Sequence, residues 1–140
     1  MLTIRRLLAL ALVAVAVACA SGNRIDQALP ASIDPSRIDV VEITTRPGEV
    51  LLRGTVNGSE ATSASTRRGE LTSPAGGTGR GEATIRGDEI LVTVDRLPSL
   101  AFLMLRVDGE PLMSFRTSED GRADIKLNRT TNRATLARSK

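Results

Sequence analysis

Residues Glu82 to Asn128 read EATIRGDEILVTVDRLPSLAFLMLRVDGEPLMSFRTSEDGRADIKLN, and the spacing of apolar side chains in this stretch decides the fold. Ala83 and Ile85 alternate with Thr84 and Arg86. Beyond Gly87-Asp88 the alternation resumes, with Ile90, Val92 and Val94 against Leu91, Thr93 and Asp95. A two-residue period belongs to a strand with one buried face, so two strands and a turn are predicted. Leu97-Pro98-Ser99 interrupts the run, because proline offers no N–H to a ladder and fixes its own φ. Leu100 to Val107 is nearly all apolar, the pattern of a strand covered on both faces. Asp108-Gly109 then supplies the two positive-φ positions of a tight hairpin, and Leu112 to Thr117 returns with Met113 and Phe115 on one face. Ser118 to Arg122 turns again, and Ala123, Ile125 and Leu127 close the stretch in alternation with Asp124, Lys126 and Asn128. The expectation is a β-meander with one wet face.

On the N-terminal side of this stretch, Ile38 to Thr44 reads as a strand. Gly48 to Val56 reads as another, with Val50, Leu52 and Val56 on one face. Arg46-Pro47-Gly48 between them is a turn, proline presetting φ and glycine supplying freedom. Asn57-Gly58 ends the second strand, and Ser59 to Gly81 is rich in Ser, Thr and Gly. Within it, 62–66 and 69–72 read as edge strand and 73–81 as a flexible loop. The fold class expected is all-β, a small antiparallel β-sandwich of roughly six to eight short strands. The pattern over residues 90–127 is similar to small immunoglobulin-like or carboxypeptidase-regulatory-like modules of bacterial surface proteins, a likeness of fold that carries no function.

The chain has 140 residues and 41% hydrophobic content, enough for one domain. It contains no His, Trp or Tyr, and only one Cys. Without His, neither a Ser-His-Asp or Cys-His arrangement nor the usual zinc or copper site can be assembled. The two phenylalanines, Phe102 and Phe115, both fall in strongly apolar strands, so no aromatic platform is expected for stacking sugars or bases. One cysteine forms no internal disulfide.

The N-terminus carries the most specific motif. Arg5 and Arg6 precede an apolar run from Leu7 to Ala18, and small residues follow at once. Such a run rises only about 18 Å as a helix, against a hydrocarbon core of about 30 Å, so it fits a secretory signal better than a membrane span. Both arginines fall in this leader, so its removal takes the 19 basic residues to 17 against 16 acidic ones. A nearly neutral domain does not fit nucleic acid as a partner.

The order Ala16-Val17-Ala18-Cys19 resembles the lipobox of bacterial lipoproteins, although Ala16 stands where that pattern usually has Leu. The resemblance covers the leader alone. It implies cleavage between Ala18 and Cys19 and attachment of fatty acyl chains such as palmitate through the Cys19 sulfur. It also implies outer-membrane residence facing the periplasm, since Ala20 is not the Asp that retains such proteins at the inner membrane. The alternative is ordinary signal cleavage after Ala18 or Ala20, both of which end a small-x-small triplet, leaving a secreted or periplasmic protein.

Other candidate sites have plainer readings. Gly76 to Gly81 lacks the Gly-Lys-Ser or Gly-Lys-Thr of a phosphate loop and leads into a strand where that chemistry needs a helix. Asp88, Asp108, Glu110 and Asp120 are candidate oxygen ligands for calcium or a small ligand. Each also lies in a hairpin turn that favours Asp and Gly for backbone reasons. A serine–lysine hydrolase has only Lys126 and Lys140 to draw on. The basic run of Lys126, Arg129, Arg133, Arg138 and Lys140 suits either an anionic surface or a solvated terminus.

The organisation expected is therefore a signal peptide over 1–18, a lipid-anchored tether over 19–37, a β-sandwich over 38–128 and a basic flexible tail over 129–140. A helical turn at 25–29 is a minor feature of that tether. The function expected is a non-enzymatic structural or protein-interaction role in the cell envelope. It needs no cofactor, and the partners are a membrane reached through the anchor and an envelope protein. A calcium or small-ligand module on the acidic turns is the alternative.

Overall fold

A computed structural model describes residues 26–28, 33–56 and 66–137; the leader expected over 1–18 and Cys19 lie outside them. Ten strands follow in order: β1 (Asp26–Ala28), β2 (Val40–Thr45), β3 (Val50–Thr55), β4 (Thr66–Thr72), β5 (Arg80–Arg86), β6 (Glu89–Asp95), β7 (Phe102–Val107), β8 (Glu110–Arg116), β9 (Ala123–Asn128) and β10 (Arg133–Ala137). A single 3-10 turn, Pro35–Arg37, precedes β2. Every described strand pair is antiparallel. The all-β class follows from the two-residue alternation, most plainly in β6, where Ile90, Val92 and Val94 are buried between exposed neighbours.

The strands are not divided between two sheets. They form one, in the order β1-β10-β9-β6-β5-β4-β3-β2-β7-β8, curled almost into a barrel. Nor are they a simple meander, because β7 leaves β6 to pair with β2 and β9 leaves β8 to pair with β6. Connection lengths force the curl. In a flat sheet β8 and β9 would stand seven strand spacings apart, about 34 Å at the usual spacing. The six residues between them reach only about 24 Å when fully extended. The sheet must therefore bring its β8 end round toward β9.

The two crossing connections, 96–101 and 117–122, lie against each other and are laced together. Leu97 N–H donates to the Gly121 carbonyl (3.1 Å), Leu100 N–H to Ser118 (3.1 Å) and Thr117 N–H to Ala101 (3.0 Å). Side chains add to this: Thr117 Oγ1 donates to the Pro98 carbonyl at 2.6 Å and Ser99 Oγ to Glu119 at 2.7 Å. Gly121 has a φ of 73° and no room for a Cβ beneath the Leu97 carbonyl, so only glycine suits this junction.

The concave face is filled by aliphatic side chains. Val41, Ile43, Leu52, Leu71, Val92, Leu105 and Leu127 are fully buried, with Phe115 as the one aromatic ring among them. Each such side chain contributes about 1.5–3 kcal/mol of transfer free energy. The expected two-sided burial of 100–107 does not occur. β7 alternates like the other strands, with Leu103, Leu105 and Val107 inside and Phe102 outside.

The domain also extends beyond the limits read from sequence. Asp26–Ala28, placed in the tether within an expected helical turn over 25–29, is instead a strand paired with Arg133 to Thr135. Ile33, Pro35 and Ile38 are buried. Arg133–Ala137, placed in a flexible tail, is the strand β10 and pairs with β9 over its whole length. Residues 69–72 are not an edge but part of β4, between β5 and β3. Arg80 and Gly81 belong to β5 rather than to a loop, and Gly79 is buried against Leu97 and Leu52. Of the segment 62–66 only Thr66 lies within the described residues.

Candidate functional site

The register sorts the turns into two groups at opposite ends of the sheet. One end carries 46–49, 73–79, 96–101 and 117–122. The other carries 87–88, 108–109, 129–132 and the 3-10 turn. Of the four carboxylates singled out from sequence, Asp120 is at the first end and Asp88, Asp108 and Glu110 are at the second.

Asp108 and Asp88 tie distant parts of the chain together. Asp108 Oδ1 accepts the N–H of Asp39 at 3.1 Å and of Val40 at 2.9 Å, and thereby fixes the start of β2. Asp88 Oδ2 accepts the Thr130 hydroxyl at 2.8 Å, joining the β5–β6 turn to the β9–β10 turn. Among the described residues no three His, Cys, Asp or Glu side chains come together as a metal site. Lys126 pairs with Glu89 across β9 and β6 at 3.0 Å, on the outer face.

A shallow hollow of about 330 Å³ lies on the outer face of β5, β6 and β9, lined by charged side chains including Arg80, Glu82, Asp95, Arg122 and Asp124. Its charges offset one another. Arg122 Nε donates to Asp95 Oδ1 at 3.0 Å. That hydrogen bond, more than any other influence, holds the Asp95 carboxyl below the usual carboxylate value and raises the Arg122 guanidinium.

The feature missed from sequence is Phe102. It is 57% exposed, the largest exposure of any big apolar side chain described. The register sets it opposite Arg116, whose guanidinium carbon lies 5.1 Å from the ring centroid. Arg46, from the β2–β3 turn, places its guanidinium 5.6 Å from the same centroid. Each cation–π contact of this kind contributes about 0.5–1 kcal/mol at an exposed site. Leu100, two residues earlier, is 45% exposed and held at a φ of 52°. Its carbonyl accepts from Arg116 Nε at 3.3 Å. Neither Arg46 nor Arg116 forms a salt bridge among the described residues.

A signal for this patch was present. Val107, at the hairpin turn, fixes an inner face that also takes Leu105 and Leu103, and Arg106 marks the opposite phase, which includes Phe102. The near-continuous apolar run concealed it, so Phe102 is not core as the composition implied.

Comparison with models of protein families, with curated proteins and with solved structures found no match to this chain.

Proposed function

We propose that this chain is a lipid-anchored cell-envelope protein whose β domain has a non-catalytic, structural or protein-interaction role. The anchor is Cys19, and the destination is the outer membrane facing the periplasm. The observation that carries the reading is an interior packed with apolar side chains, 23 of them buried in one core among the described residues. A curled sheet that bound a small molecule inside would keep a lined cavity there. With a packed interior, recognition falls to the outer surface, the turns and the open edge. β8 ends the sheet, and no described strand pairs with its outer side. An extended segment of an envelope protein is the partner such an edge receives by strand addition. Pro111, near the start of β8, limits that pairing to the later part of the strand.

The experiment has two parts. Radioactive palmitate should label the full chain in cells and fail to label Cys19→Ala. Absence of label in the unsubstituted chain overturns the anchor and leaves a secreted or periplasmic protein. Crosslinking in intact cells through a photoreactive residue at Ser114 should recover one protein reproducibly. A calcium-dependent rise in melting temperature would instead favour a ligand-binding module on the acidic turns.

A further inference from the structure

We propose that Phe102, Leu100, Arg46 and Arg116 form a membrane-contacting patch. In it the two apolar tips enter the interfacial layer and the two guanidiniums bind phosphates of anionic phospholipids. The inference rests on the lipid-anchor reading, because it needs a bilayer within reach. Four observations converge on it. The patch joins an exposed aromatic ring and an exposed leucine to two arginines, neither of which is paired with a carboxylate among the described residues. Aromatic rings and arginines together suit the headgroup layer, where one needs an apolar bed and the other a phosphate.

The patch is also held in place. Leu100 is fixed on both sides of its peptide unit, its N–H donating to Ser118 and its carbonyl accepting from Arg116. The direction of the chain agrees. In β1, Asp26 lies opposite Thr135 and Ala28 opposite Arg133. Arg133 pairs in turn with Asn128 at the Asp88 end. Asp26, the first described residue, is therefore the end of β1 turned toward the sheet end that carries Arg46 and Leu100. Six residues separate Cys19 from Asp26, a reach of at most about 25 Å. An acylated Cys19 thus keeps the domain close to the bilayer, within reach of this patch.

The test exploits the lack of Trp and Tyr in the chain. Full-length protein carrying Phe102→Trp is purified from membranes and reconstituted into vesicles of phosphatidylcholine and phosphatidylglycerol, with or without bromine on the acyl chains. A second protein carries Leu91→Trp, a reporter on the exposed face of β6. The expected result is blue-shifted emission and strong bromine quenching at position 102, with weak quenching at position 91. Adding Arg46→Glu and Arg116→Glu to the position-102 reporter should abolish its quenching in anionic vesicles. A chain that leaves the membrane fraction overturns the anchor and the patch together. A chain that stays in the membrane fraction with position 102 unquenched overturns the patch alone. Blue-shifted emission without bromine quenching also overturns it, and shows the ring covered by protein.

Discussion

Gly54 on β3 and Gly69 on β4 let two strands approach backbone to backbone. A Cβ on Gly54 would overlap the Glu70 carbonyl, and one on Gly69 would overlap the Thr55 carbonyl. β3 and β4 share one ladder pair, Arg53 with Thr72, so this close approach rather than a hydrogen-bond ladder sets their separation. Backbone cannot move aside as a flexible side chain can. Gly54→Ala and Gly69→Ala should each destabilise the domain by about 1–3 kcal/mol, read as a lowered midpoint in urea. An unchanged midpoint for both would mean that the strands do not meet in this way.

The Asp108 carboxylate makes a second long-range tie, reaching from the β7–β8 turn to the first amides of β2. Asp108→Ala removes this acceptor and places alanine at a φ of 47°. A loss of about 1–2 kcal/mol is expected. Asp108→Asn keeps one oxygen acceptor and a side chain that tolerates this φ, so it should cost less. Equal losses in the two variants would mean that the oxygen retained by asparagine does not make the tie and that the charge of the carboxylate does.

Arg67 on β4 holds the segment before β2. Its guanidinium donates to the carbonyls of Ile38 and Pro35, a two-pronged contact that lysine does not reproduce. Arg67→Lys and Arg67→Ala should both speed hydrogen exchange at Arg37 and Ile38, with alanine losing about 2 kcal/mol of global stability. Protection unchanged in both variants would remove Arg67 from this role.

The Asp95–Arg122 pair makes acid sensitivity predictable in sign. The carboxyl of Asp95 is lowered in the folded state, chiefly by the hydrogen bond from Arg122. Its contribution is therefore present above the unfolded carboxylate value of about 3.9 and is lost as pH falls through the lower folded value. Asp95→Asn should melt slightly below the unsubstituted protein at pH 7, and the gap should close in strong acid. Both groups are solvent-exposed, so added salt should narrow the gap at neutral pH as well.

Much of the strand content was legible because its cause is local. In β6 and β9 every second residue is apolar, and the Gly87-Asp88 and Asp108-Gly109 turns carry their own backbone chemistry, so these elements appear at their expected places. Where the local pattern is saturated, as in Phe102–Val107, it lacks a phase. The exposure of Phe102 then depends on which neighbours the strand acquires. Arg133–Ala137 and Asp26–Ala28 are short and weakly patterned; pairing to β9 and to each other makes them strands.

By itself the sequence determined the all-β class, the hairpin turns and the alternating inner face, since those follow from side-chain period and from the φ preferences of a few residues. It also determined that the chain holds no histidine and that its lone cysteine follows an apolar run. Only the tertiary structure decided that β7 and β8 leave the meander for the far side of β2, that one sheet curls to fill its own interior, and that Arg46, Arg116 and Phe102 meet. The reason is physical: strand partners are chosen by contacts between residues far apart in the chain, and no local period encodes which strand lies alongside which.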